Sequence, residues 1–379
     1  MSGDQGTERL DVVIIGAGQA GLAAGYHLAK RGIRFLILED HDRIGDNWRS
    51  RWETLRLYSP AAVDGLPGTP FPRKRLTYPS GREMGDYLES YARTWNLPVR
   101  TGVHVDALRR REDGRDGFLI DAGDQRIEAD QVIVATGAFQ SPRVPDFADQ
   151  LDPGIRQLHS SAYRSPTQLQ DGPVLVVGAS HSGADIAVEA AATGHRTVLA
   201  GHIAGQLPVP LESLRGKAIM PVMFHLAKYL LTIRTPIGRR VAPHVRMGGG
   251  PLLRVRRQDL DRAGVERSDE RVGGVRGGRP VLGDGRPIDV TNVIWCTGFR
   301  PDFRWIELPI VDPDGWPIQS RGVVESAPGL YFLGLLFQYS FTSMLVAGAG
   351  RDAAFVVARL AERAQASDTA RGRASAFAQ

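Results

Sequence analysis

Apolar positions in this chain gather into short uninterrupted runs rather than alternating ones. VVII at 12–15, FLIL at 35–38 and VLVV at 174–177 are the clearest. Such runs suit strands buried on both faces of a parallel sheet. After a glycine-rich turn, VVII leads into the Ala/Leu-rich GLAAGYHLAKRG and VLVV into DIAVEAAATG, both read as helices, and RTVLAGH reads as the next strand. VIVATGAFQSP at 132–142 and VIWCTGFRPD at 293–302 share a strand, an (Ala/Cys)-Thr-Gly turn and an aromatic residue. A repeat of that form suits two crossings between domains. The predicted fold is α/β, with two Rossmann-like dinucleotide-binding domains, the second inserted in the first. The first would occupy 1–155 and 289–364 and the second 156–288, with a basic and apolar insertion at 213–258. A disordered tail would fill 365–379.

Gly16, Gly18 and Gly21 stand at G-x-G-x-x-G spacing around Gln19 and Ala20. The first glycine of such a turn bends the chain, the second lets backbone approach a pyrophosphate, and the third lets helix and strand pack closely. FLILED ends in Glu39, 23 residues after Gly16, where a carboxylate accepts hydrogen bonds from free ribose hydroxyls. FAD or NAD fits there and NADP does not. The second turn repeats the spacing as Gly178, Ser180 and Gly183, with Ser182 beside them. At the equivalent strand end stand Ala200 and Gly201, with no acid to repel a 2′-phosphate, and Arg196 and His202 flank the place. The pair of turns therefore predicts FAD first and NADPH second.

With 42% hydrophobic and 23% charged residues over 379 positions, the composition is that of a globular protein. Its single cysteine, Cys296, excludes an internal disulfide, a Cys-x-x-Cys redox pair and a thiolate metal cluster, and fits a reducing cytoplasm. MSGDQGTERL lacks a secretory pattern and reads as a loose start. The net charge of +5 comes almost wholly from dispersed arginine, and nothing resembles a nucleic-acid-binding module.

Taken together, GAGQAGLA, IGDNWRSRWETLRLYSP, LPGTPFP, YPSGREMGDYLESYA, VATGAFQSPRVP, LHSSAYR, GASHSGADIA and CTGFRPDF resemble the class B flavin-containing monooxygenases. Their short form, which includes the plant auxin-forming enzymes, is the most similar. The resemblance implies FAD contacts at Gly16, Gly18, Gly21 and Glu39, at Trp48, Val105, Ala135, Thr136 and Gly137, and at Gln338. For NADPH it implies Gly178, Ser180, Ser182 and Gly183, with Cys296 and Thr297 at the hinge. It further implies an enzyme that takes NADPH and O2, forms a C4a-(hydro)peroxyflavin and oxygenates a small organic substrate. A reductase or oxidase passing electrons to a carrier or to O2 is the alternative. Arg51, Tyr58, His159 and Gln338 are the polar candidates near the junction, Tyr58 lying roughly where amine-oxidising members carry asparagine. The segment from Ser213 to Gln258 holds ten Lys or Arg, no acid, and AIMPVMFHLAKYLLTI. An insertion packing over the NADPH domain, its arginines solvated or facing phosphates, is the preferred reading of it, and an interfacial patch that touches anionic membrane or takes in a lipophilic substrate is the other.

Overall fold

The computed structural model describes residues 8–111, 116–247 and 249–377. The expected loose start, apart from its last three residues, lies outside them. The chain opens with strand β1 (Glu8–Ile15), helix α1 (Gln19–Ala29) and β2 (Phe35–Leu38), then α2 (Asp46–Arg49), α3 (Gly81–Thr94) and β3 (Val99–Arg100). An antiparallel meander follows, of β4 (Ala107–Arg110), β5 (Phe118–Ala122) and β6 (Gln125–Val134), and then short β7 (Ser141–Pro142). Next come β8 (Arg156–His159), β9 (Val174–Val177), α4 (His181–Ala192) and β10 (Thr197–Ala200). Helices α5 (Leu214–Leu230), α6 (Pro236–Met247) and α7 (Arg257–Arg262) precede β11 (Glu266–Ser268), the hairpin β12 (Val272–Arg276) and β13 (Arg279–Leu282), and β14 (Asn292–Trp295). β15 (Phe299–Arg300), β16 (Leu330–Phe332) and the long α8 (Val346–Phe377) complete the fold.

Two sheets result. The first runs β3-β2-β1-β6-β5-β4, with β16 also on β6, and the second runs β11-β10-β9-β14-β8. β1 pairs in parallel with β2 and β6, and β9 with β10 and β14, so the apolar runs lie mid-sheet and are covered on both sides. Alternate residues serve opposite faces. Val12 and Ile14 join the core beneath α1, α3 and α8, whereas Val13 and Ile15 join the core with Phe118, Val132 and Phe332. Val174 and Val176 pack toward α4, and Leu175 and Val177 pack with Val293 and Trp295.

The two-domain α/β architecture matches the sequence reading, but both boundaries move. Ala148 and Leu151 pack in the core of the second sheet, so that unit begins before residue 156. β14 lies in the middle of the same sheet, so the unit continues past 288. The passages between units are β7 and β15, paired antiparallel, with the Arg143 N–H donating to the Gly298 carbonyl at 2.9 Å. Of the tail expected at 365–379, residues 365–377 are helical, because α8 runs on to Phe377, and the last two lie outside the described residues. Ala361 and Ala364 before that stretch and Ala366 within it favour helix, and the Arg359–Glu362 pair supports the turn leading into it.

Candidate functional site

The first turn is shaped by steric necessity. Gly16 has φ +105°, and a Cβ on it would stand 2.8 Å from the Ala135 carbonyl oxygen. A Cβ on Gly21 would fall 1.9 Å from the Gly16 oxygen, so this glycine lets α1 lie against the end of β1. Gly18 differs. A Cβ there would find only Asn47 Nδ2 at 3.9 Å, so no protein atom demands a bare backbone at that point. Gly18 is also the N-cap of α1, which has no side-chain cap and no acid in its first turn, leaving N–H donors and the positive end of the helix dipole for an anion.

Glu39 closes this pocket at the end of β2. Its Oε2 accepts from the Ala17 N–H at 2.7 Å, and its Oε1 from the His41 N–H at 3.2 Å and faces His41 Nδ1 at 2.6 Å. That hydrogen bond pulls the His41 pKa above its usual value despite partial burial. The loop carrying Val105 runs beside it, with the Val103 N–H on the Glu39 carbonyl. Trp48 packs against the cores of both units, and its indole N–H is buried with no hydrogen-bond partner among the described residues.

The second turn copies these constraints. Gly178 has φ +108°, and a Cβ on it would stand 2.3 Å from the Cys296 carbonyl oxygen, while one on Gly183 would fall 1.8 Å from the Gly178 oxygen. Cys296 thus occupies the place that Ala135 holds in the first unit, and burial pushes its thiol up to about 12, which suits packing and not nucleophilic chemistry. α4 again lacks a side-chain cap and a first-turn acid. Ser180 does more than keep the position small: its hydroxyl donates to the Gly250 carbonyl at 2.9 Å, tying the stretch before α7 across the turn.

At the carboxyl end of β10, Gly201 (φ +128°) leads to exposed His202, and Arg257 of α7 reaches the Ile203 carbonyl at 3.4 Å. Arg196 does not belong there. It precedes β10 at the opposite end of the strand, with its backbone paired to Val174, and its guanidinium is held bidentate by Glu266 at 2.7 and 2.9 Å. Proximity in sequence to Ala200 and Gly201 was misleading because β10 lies between, and a strand separates its two ends by its own length.

A third group lies at the seam. Tyr58, in the first unit, donates to Asp185 Oδ2 of α4 at 2.8 Å, packs 5.3 Å from the His181 ring and carries the Arg254 guanidinium 5.6 Å above its own ring. Burial and then the Asp185 charge push the Tyr58 pKa well up, burial raises that of Asp185, and burial lowers His181 to about 4. Arg51 is half-buried beside the Phe299 ring, its pKa lowered by burial and by Arg164. His159 is a joint rather than a free base. Its Nε2–H donates to the Gly298 carbonyl at 3.0 Å, and Nδ1 accepts from Ser161, so both ring nitrogens are engaged in the neutral form. Burial accordingly lowers its pKa. Thr297 donates to the Arg143 carbonyl across the same crossing. Gln338 turns its amide inward, donating to the Phe332 carbonyl at 2.7 Å and accepting from the Leu335 N–H at 3.3 Å, so that side chain supports its own loop.

Known proteins place this geometry. A family profile described as Pyridine nucleotide-disulphide oxidoreductase matches residues 13–206. An oxidoreductase of Geobacillus kaustophilus, described as uncharacterized and CzcO-like, is 37% identical over 92% of this chain and 97% of its own. A probable indole-3-pyruvate monooxygenase of Arabidopsis thaliana, YUCCA1, is 27% identical over 93% and 89%. The solved flavin-containing monooxygenase of Stenotrophomonas maltophilia superposes with a TM-score of 0.75 at 26% identity, covering 94% of this chain and all of that one. The chain belongs to the pyridine nucleotide-disulphide oxidoreductase family. It is an oxidoreductase.

In this oxidoreductase the two glycine turns and the seam carry nearly all the candidate chemistry. Asp185, His181, Arg254, Arg164 and Arg257 were missed as site residues. Asp185 follows Gly183 by two positions in a stretch read only as helix, and nothing local indicates that it meets a tyrosine 127 residues away. Among the described residues no cluster of His, Cys, Asp or Glu could hold a metal, and no helix is long and apolar enough to cross a membrane.

Proposed function

We propose that this oxidoreductase binds FAD at the first turn and NADPH at the second, consumes NADPH and O2, and oxygenates a small organic substrate at the seam. The carrying observation is the contrast between the two strand ends, Glu39 at one and Gly201 with His202 at the other. A carboxylate favours free ribose hydroxyls and repels a 2′-phosphate, and its absence with basic groups nearby admits one. The first site also fits the flavin nucleotide on its own terms: Gly18 offers bare backbone that no protein atom requires, α1 begins uncapped, and the Trp48 N–H is buried without a partner.

In this reading the first N–H groups of α1 hold the pyrophosphate of FAD, Glu39 its ribose, and Ala135, Thr136 and Gly137 supply close backbone at the crossing. Gln19, Ala20 and Val105 complete the wall, and Trp48 donates its indole proton. The start of α4, with Gly178, Ser180, Ser182 and Gly183, holds the pyrophosphate of NADPH, and His202 and Arg257 provide positive charge for its 2′-phosphate. FAD held there would supply the redox chemistry, taking up hydride equivalents and reacting with O2. The protein positions the partners and excludes water. Tyr58 keeps its proton because burial and Asp185 both oppose ionisation, so it can present only a neutral ring and a hydroxyl already committed to that carboxylate. His159 and Thr297 hold the crossing. A reducing cytoplasm is the compartment that suits a single buried thiol.

The test is to mix the purified flavoprotein anaerobically with NADPH or NADH, then with O2. Fast flavin reduction by NADPH and slow reduction by NADH, followed by O2 uptake in step with oxygenated product, is the expected result. Reduction by NADPH followed by prompt peroxide release, with no oxygenated product across a panel of sulfides, amines and ketones, would favour an oxidase or reductase instead.

A further inference from the structure

Helix α5 should not be stable in water as it stands. Its inner side is accounted for: Met220 is buried with Tyr78 and Leu211, and Phe224 packs there with Tyr58, so the helix roofs the seam. Its outer side is equally apolar. Ile219, Val222, Met223, Leu226, Tyr229 and Leu230 follow helical spacing along one face and are 42–56% exposed, and Leu214 and Ile237 extend the patch at its two ends. Eight of the twelve exposed large hydrophobic residues among the described residues thus lie between 214 and 237. A helix with a second, exposed apolar face beside basic residues fits a membrane interface, and a contiguous exposed patch marks an interaction surface.

Charge indicates the occupant. From Ser213 to Gln258 there are ten Lys or Arg and no Asp or Glu. Arg215 on α5, Arg234 in the connection and Arg239 and Arg240 on α6 are exposed, and none forms an ion pair with any described residue. Elsewhere arginines find carboxylates readily, as Arg49 does with Asp46, Asp86 and Glu89. An apolar strip bordered by uncompensated cations is the pattern of a helix lying in the headgroup region of an anionic bilayer. An insertion packed over the second unit with its arginines solvated or facing phosphates, the preferred reading from sequence, explains the arginines but not the bare apolar face.

We infer that α5 and α6 dock this enzyme on the surface of a membrane containing anionic phospholipid, with Val222, Leu226 and Tyr229 in the acyl boundary and Arg215, Arg234, Arg239 and Arg240 at the phosphates. The inference is independent of the cofactor assignment. It is tested by co-sedimentation of the flavin-loaded protein with vesicles of phosphatidylcholine alone or mixed with phosphatidylglycerol. Binding should be at least about ten-fold tighter to the anionic vesicles and fall at high salt. Leu226→Glu should abolish it, and Arg239→Gln and Arg240→Gln should each weaken it about five-fold, with flavin content unchanged in all three because these side chains face outward. Absence of pelleting with phosphatidylglycerol vesicles at low salt overturns the proposal, as does pelleting that Leu226→Glu leaves intact. If the wild type instead self-associates with rising concentration, without binding vesicles, and Leu226→Glu makes it monomeric, a second copy of the chain covers the face and the membrane reading is wrong.

Discussion

The two glycine turns are nearly superimposable in what they forbid and opposite in what they admit. Gly16 and Gly178 share the same positive φ within 3°, 105° against 108°, and each lies under a carbonyl of its own crossing, Ala135 or Cys296. Gly21 and Gly183 leave no room for a methyl in either unit. Such residues are set by backbone packing, and they recur because both units solve the same problem of bringing a helix N-terminus to the edge of a parallel sheet. The residues that differ are those facing outward from the turn. Gly18 becomes Ser180, which fastens a loop, and Glu39 has no counterpart. Shared stereochemistry therefore marks the fold, and the differences carry the choice of ligand.

That comparison can be broken most forcefully at its shared part. Gly21→Ala and Gly183→Ala should each cost about 3 kcal/mol or more, because the new methyl meets a carbonyl oxygen rather than a flexible side chain. The first should strip the flavin and the second leave it bound while abolishing reduction by NADPH, as flavin absorbance and stopped-flow reduction would show. If both variants lose flavin alike, the units are not separable.

Buried carboxylates provide the next contrast. Asp185 of the second unit has the Tyr58 hydroxyl, whereas Asp64 of the first has Ser59 on Oδ1, and its Oδ2 is buried without a partner among the described residues. Burial raises the Asp64 pKa from 3.8 to about 8. The folded state therefore holds this proton more tightly than the unfolded state, and stability from this group is full below pH 3.8 and is lost progressively as pH rises toward 8. Asp64→Asn should remove that loss and raise stability at alkaline pH by several kcal/mol while changing it little near pH 4, measured as melting temperature against pH.

Smaller effects sharpen the ligand assignment. Glu39→Gln exchanges a charged acceptor for an amide and should weaken FAD binding about 10- to 100-fold, read by flavin release on dilution. His202→Glu places an acid where the second strand end lacks one and should raise the KM for NADPH about ten-fold, leaving that for NADH nearly unchanged. Arg196→Ala should alter neither KM by more than about two-fold, since an exposed ion pair at the far end of β10 is worth little. A large NADPH effect there would restore Arg196 to the site.

Much of this arrangement was legible from local patterns. The runs VVII and VLVV, the glycine spacing and Glu39 each report on a constraint within one β-α-β unit, where sequence neighbours are also spatial neighbours. What escaped depends on distant segments. The boundaries moved because the short turn Asp146–Gln150 packs on strands that come later, and because β14 inserts between β8 and β9. Gln338 and His159 are polar residues in suggestive positions whose hydrogen bonds are spent on their own surroundings. The Tyr58–Asp185 contact joins two motifs that look unrelated until the units meet. Residues 213–258 were recognisable as unusual in charge, but which of their apolar side chains face outward depends on how α5 settles over the seam.

The pairing of β7 with β15 has a meaning for descent. The chain leaves the first unit and returns to it through neighbouring strands, with Arg143 and Gly298 one hydrogen bond apart. A coding segment for the whole second unit can therefore be spliced into a single surface loop of a one-sheet ancestor without displacing either sheet, since the two cut ends already meet. Duplication of one nucleotide-binding gene, followed by insertion of the copy into the original, is the simplest history that leaves two matching turns and one shared doorway.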